Sequence, residues 1–99
     1  MPPERQQELR REIPDWRLEG KRLVRDLTFK DFKAALAFAN AVGELAEQEQ
    51  HHPDLHLTGY KRLRLELSTH AIGALSENDF VLAAKIDRLP GMPVRPAAA

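Results

Sequence analysis

Ninety-nine residues with fifteen basic and fifteen acidic side chains carry no formal net charge, and cysteine is absent. Balanced charge excludes bulk attraction to nucleic acid or to an anionic membrane, and the lack of cysteine excludes disulfides and thiolate metal sites while fitting a cytoplasmic protein. A chain this short makes one domain, residues 1–99, and buries roughly 60–70% of its unfolded surface, so any site is expected in a surface groove or at a subunit junction.

The first segment, Met1 to Ile13, is charged, lacks an apolar centre and does not read as a secretion signal. Pro3 to Glu12 reads as a short solvated helix that Pro14 ends. Trp16 to Phe29 reads as a hairpin turning at Glu19-Gly20-Lys21, with Leu23, Arg25, Leu27 and Phe29 alternating with Val24, Asp26 and Thr28. From Asp31 to about Gln50 the period changes. Phe32, Leu36, Ala39, Val42, Gly43 and Ala46 recur at helical steps, and Pro53 stops the helix beside a histidine pair.

Leu57 to Thr69 returns to strand spacing, with Leu63, Leu65 and Leu67 on one side, Arg62, Arg64 and Glu66 on the other, and a bend at Gly59. Ser76-Glu77-Asn78-Asp79 has the form of a capping box. It opens a last helix to about Leu89, with Phe80, Ala83, Ala84 and Asp87 stacked along one side. Pro90-Gly91 ends it, and residues 91–99 read as a loose tail, leaving a folded core of about 14–90. No apolar run approaches the roughly 20 residues of a membrane span. The predicted fold is α+β: a four-stranded antiparallel sheet covered on one face by two main helices, with a short N-terminal helix.

All four histidines, His51, His52, His56 and His70, lie within one stretch of twenty residues. Imidazole is the side chain whose unperturbed pKa lies near neutrality, so a cluster beside a carboxylate suits proton transfer in both directions. His52 and His56 have the helical metal-ligand spacing, but Pro53 opposes a helix through both, and no third ligand stands in an obvious motif. A purely structural reading is also available. His51 and His52 would sit at a helix C-terminus, where positive charge is mildly favourable, and His70 would be a satisfied strand-end histidine. Glu47, one helical turn before His51, could orient or charge its ring, or be an ordinary exposed glutamate. Trp16 is an apolar wall for a flat heterocycle or a core residue. Tyr60 and Asp79 read as a packed strand aromatic and a first-turn helix carboxylate.

The spacing Glu47-x-x-x-His51-His52-Pro53, Tyr60, Ser68-Thr69-His70, Leu75-Ser76-Glu77-x-Asp79, with Trp16-x-Leu18 and Phe29-Lys30-Asp31-Phe32, resembles that of the pterin-4a-carbinolamine dehydratases from about Trp16 to Leu89. The resemblance implies dehydration of 4a-hydroxytetrahydropterin to quinonoid dihydropterin, which removes hydroxide from C4a and a proton from N5 without a metal or bound cofactor. By the family motif, His51 and His70 match the acid/base histidines and His52 a histidine that contacts the pterin. Glu47 matches a site carboxylate, the Ser68-Thr69 backbone the edge on which the pterin docks, and Trp16 an aromatic near the pocket.

Two positions depart from the pattern. Gln50 stands where an Asp commonly precedes the histidine pair, and Leu55 where a large aromatic is common. The resemblance also implies a homodimer or homotetramer. Its alternatives are a non-catalytic dimerisation or coactivator module, or pterin handling for molybdenum cofactor metabolism. The lack of a basic stripe argues against direct nucleic-acid contact.

Overall fold

The computed structural model describes residues 2–69 and 73–93. In chain order the elements are α1 (Pro3–Arg11), β1 (Arg17–Glu19), β2 (Arg22–Thr28), α2 (Phe32–Glu49), β3 (Asp54–Thr58), β4 (Arg62–Leu67) and α3 (Glu77–Asp87). The strands pair antiparallel in the order β1-β2-β4-β3. The architecture is therefore the α+β arrangement expected from the sequence. His70, and the expected tail from residue 94 onward, lie outside the described residues.

Alternation on β4 decides which face is inside. Leu63, Leu65 and Leu67 are buried, at 0–1% exposure. They pack with Leu23 and Leu27 of β2, Ala35, Phe38 and Val42 of α2, and Phe80, Leu82, Ala83 and Ile86 of α3. Each large apolar side chain so buried contributes about 1.5–3 kcal/mol before entropy is counted. The opposite face is a charged grid. There Arg64 lies 3.0 Å from Asp26, Arg17 2.8 Å from Asp26 and Arg22 2.7 Å from Glu66.

One basic residue breaks the inner stripe. Arg25 alternates with Leu23 and Leu27, so the pleat turns it towards the helices. Its guanidinium reaches Asp87 at 2.5 Å and Asp15 at 3.7 Å. Asp87 Oδ1 also accepts the indole N–H of Trp16 at 2.9 Å. A half-buried guanidinium needs this compensation, since an unpaired charge away from water is destabilising.

Three expected details shift. The buried face of α2 is Ala35, Phe38, Val42 and Ala46. Phe32 and Leu36 lie to one side of it, at 49% and 41% exposure, because the apolar arc of this helix is wider than the surface the sheet offers. On α3 the buried set is Asp79, Phe80, Leu82, Ala83 and Ile86, with Ala84 half-buried. Strand β3 begins at Asp54 rather than Leu57. As an edge strand it has Asp54, Leu55 and His56 all exposed, so it shows no burial alternation to read.

Candidate active site

Helix α2 ends in a reversal that separates the two adjacent histidines. Gln50 takes left-handed dihedrals, φ 54° and ψ 38°. The His51 N–H bonds Ala46 O at 3.1 Å and the Gln50 N–H bonds Glu47 O at 3.4 Å, the paired bonds of a Schellman motif. The Gln50 side-chain amide donates to the same Glu47 carbonyl at 2.8 Å, giving that helix-end oxygen a second donor. Because Gln50 leaves the helical path, His51 no longer stacks one turn above Glu47. The ring that meets the Glu47 carboxylate is His52, through Nε2. That pair is open to solvent, with His52 60% and Glu47 74% exposed.

His51 turns inward instead. Its side chain is 16% exposed, and Nε2 meets Asp79 Oδ1 at 2.5 Å. Asp79 is fully buried. Its other oxygen, Oδ2, accepts the Thr69 hydroxyl at 2.8 Å and the Ser76 backbone N–H at 2.9 Å. The Ser76 bond is one half of the capping box expected at the start of α3. One carboxylate thus closes a helix end and holds an imidazole. Three donors on two oxygens satisfy a group that would otherwise be costly to bury.

Thr69 is held by strand-like pairing with Ala74, its N–H donating to Ala74 O at 2.9 Å. His70 follows it directly in the sequence. Chemically, His51 has one ring nitrogen fixed on an acceptor and a side chain that still reaches solvent. Such an imidazole can give or take a proton at its second nitrogen. Among the described residues no three His, Cys, Asp or Glu side chains gather as a metal site.

The Pterin 4 alpha carbinolamine dehydratase family matches residues 1–89 of the sequence. The chain belongs to this family. A relative from Nitrosospira multiformis, provisionally named pterin-4-alpha-carbinolamine dehydratase, is 46% identical over 92 residues, covering 90% of this chain and 80% of the relative. Among solved structures, the transcriptional coactivator/pterin dehydratase from Brucella melitensis is similar, with TM-score 0.79 and 28% identity over 88% of this chain and 94% of the other. A pterin dehydratase-like protein described as a RuBisCO assembly factor in the alpha-carboxysome is also similar. Its TM-score is 0.65 at 26% identity, covering 80% of this chain and 93% of that one.

Of the residues the family motif singles out, the fold joins His51 to Thr69 through Asp79, and His52 to Glu47. Ser68 lies beside Thr69 and lines a cleft with Gly20, Lys21, Arg22 and Gly73. Trp16 is 3% exposed in the core, and its indole meets Asp87 near the C-terminal end of α3, away from Asp79. His56 faces the charged side of the sheet, 3.6 Å from Glu66. Tyr60, 60% exposed, sits on the β3–β4 turn, at the opposite end of β4 from Thr69. Asp79 is the site residue that sequence reasoning left as a helix-start carboxylate. Its place in the dehydratase spacing was visible, but the capping role accounted for it fully.

Proposed function

We propose that this chain is a 4a-hydroxytetrahydropterin dehydratase, a carbon–oxygen lyase working by histidine acid/base catalysis in tetrahydrobiopterin recycling. The observation that carries the reading is the half-buried His51 ring held by the fully buried Asp79. In the reaction the C4a–O bond breaks, the oxygen leaves as water with a proton from the acid, and the base removes the N5 proton as the C4a–N5 double bond forms. Family membership supports His51 and His70 as the acid/base pair, and His52, with Glu47 on its ring, as the histidine that meets the pterin. The family motif makes the Ser68-Thr69 backbone the docking edge, although the Thr69 N–H is already given to Ala74 O. Trp16, which the family motif gives as an aromatic near the pocket, is buried in the core against Asp87, so its substitution reads on packing first. The chemistry uses the pterin as substrate and calls for neither metal nor bound cofactor, and the location proposed is cytoplasmic.

The test is dehydration of synthetic or hydroxylase-generated carbinolamine, followed by ultraviolet absorbance above the spontaneous rate. His51→Ala and His70→Ala are each expected to lose about 10²–10⁴-fold. A wild-type protein that does not exceed the spontaneous rate ends this reading.

A second reading rests on a different surface. Phe32 and Leu36 lie on one flank of α2, and Gly43, two helical turns after Leu36, has nothing within 4 Å of where a Cβ would stand. An apolar flank beside a mid-helix glycine suits packing against another helix. We assign it to self-association into a homodimer or homotetramer. A non-catalytic binding module would use the same flank; the two solved relatives are named for a coactivator and an assembly role.

A further inference from the structure

We infer that Thr69 is a positioning residue for His51, acting through Asp79, and that Ser76 sets the direction in which the Thr69 hydroxyl points. The inference rests on the acid/base reading of His51 for its effect on turnover, but not for its effect on the His51 ring.

The argument starts from donor counting. Thr69 Oγ1 lies 2.7 Å from Ser76 Oγ and 2.8 Å from Asp79 Oδ2. A hydroxyl has one proton to donate, and a carboxylate only accepts. The Thr69 proton therefore goes to Asp79, and Ser76 is left to donate to Thr69. The order of donation is Ser76 hydroxyl to Thr69 hydroxyl to Asp79 Oδ2, with His51 Nε2 donating to Oδ1 from the other side.

The two donors on Oδ2 matter because a carboxyl torsion is otherwise broad and nearly two-fold. The Ser76 N–H alone, at 2.9 Å, fixes a distance to Oδ2. Adding the Thr69 O–H from a second direction fixes the plane of the carboxylate and so the place of Oδ1. A threonine suits this task. Its β-branched side chain is stiff at χ1, and its backbone is clamped to Ala74 in both directions, at 2.9 and 3.4 Å. The family motif gives Thr69 a backbone role at the docking edge. The side chain has a separate one: it orients the carboxylate that orients His51.

The consequence is a defined tautomer. With Oδ1 placed to accept, the proton of neutral His51 sits on Nε2, and Nδ1 is the nitrogen that works on substrate. Without the Thr69 hydroxyl the carboxylate swings, and that preference weakens.

The experiment compares Thr69→Val, which keeps the shape and removes the hydroxyl, with Thr69→Ser, which keeps the hydroxyl. Dehydration kinetics are measured together with the ring-nitrogen ¹⁵N shifts of His51. We expect Thr69→Val to lower kcat about tenfold, the rate equivalent of one hydrogen bond, with KM within about twofold. Its His51 signature should move from Nε2–H towards a mixture, and Thr69→Ser should restore both. An unchanged His51 signature in Thr69→Val overturns the proposal, as does a Thr69→Ser as impaired as Thr69→Val. His51→Ala, run alongside, judges the acid/base reading separately: if turnover survives it, that reading fails, while the ¹⁵N comparison still decides whether Thr69 orients the ring. Should Thr69→Val not fold, Ser76→Ala carries the same comparison, because it removes the hydroxyl that directs Thr69.

Discussion

Replacing Asp79 by Asn alters one atom of a carboxyl group and reverses the hydrogen-bonding sense at His51. Two donors meet Oδ2, the Thr69 hydroxyl and the Ser76 N–H, and one ring nitrogen meets Oδ1. An asparagine has one carbonyl oxygen and one NH₂ group. The oxygen takes the Oδ2 place, since the NH₂ there would face two donors. The NH₂ then faces His51 Nε2, which must accept, so the ring proton moves to Nδ1. The nitrogen that faced substrate as an acceptor becomes a donor. Where this exchange is made in hydrolase triads the cost is about 10⁴ in kcat. His51 is not fully enclosed, at 16% exposure, and can relax in part, so we expect a loss of about 10²–10⁴.

Stability should fall by only about 1–2 kcal/mol, because both Oδ2 donors keep an acceptor while the helix loses a charge at its first turn. For a chain of this size that is roughly 5–15 °C in Tm. Glu47→Gln is the contrast. Its pair with His52 is open on both sides, and such pairs are worth about 0–1 kcal/mol. The assay is carbinolamine dehydration with thermal melts of both variants. A folded Asp79→Asn protein with kcat within about threefold of wild type would refute the reasoning.

Other expectations follow from the fold. Arg25→Met should cost about 2–4 kcal/mol in urea unfolding, since Asp87 keeps only the Trp16 indole, and Arg25→Met with Asp87→Asn should be less damaging than Arg25→Met alone. Equal or greater loss in the double variant would show that the two do not compensate each other. Gly43→Ala should stabilise the chain by about 0.8–1 kcal/mol, because the new methyl meets nothing inside it and glycine is a poor helix former; a lower urea midpoint in dilute solution would contradict this. Burial works against the charge of Asp26, but the guanidinium groups of Arg64 and Arg17 outweigh it and hold its carboxyl below the usual carboxylate range. A group so depressed adds stability above its unfolded pKa, about 3.9, that is lost as pH falls through the folded value. Asp26→Asn should therefore lose less stability than wild type between about pH 5 and pH 2, and parallel curves would count against the pairing.

Element order and sheet face were legible because periodicity changes cleanly along the chain. The strand alternation of Leu23, Leu27, Leu63, Leu65 and Leu67 becomes the inner face without revision. What was not legible depended on a single residue or on absent patterning. Gln50 carries no signal for a left-handed conformation that glycine or asparagine usually supplies, yet that one residue decides which histidine meets Glu47. Edge strand β3 has Asp54, Leu55 and His56 all exposed, so no burial alternation marks its start. An arginine intrudes in the apolar stripe of β2 and an aspartate in that of α3. Two opposite charges, each out of place in a buried stripe, are candidates to be partners, and Arg25 and Asp87 are.

Helix α3 is fastened by a polar side chain near each end. Asp79 is tied to His51, and Asp87 to Arg25 and Trp16. The eight residue steps from Asp79 to Asp87 span about 12 Å of helix. That interval acts as a ruler. Inserting one residue inside it would advance one fastening by about 1.5 Å and rotate it by about 100°, so only one end could still engage. Length changes after Asp87 would leave both fastenings in place. The tolerance of this segment to insertion and deletion should therefore switch sharply at Asp79 and again at Asp87, although apolar packing continues on either side of both positions.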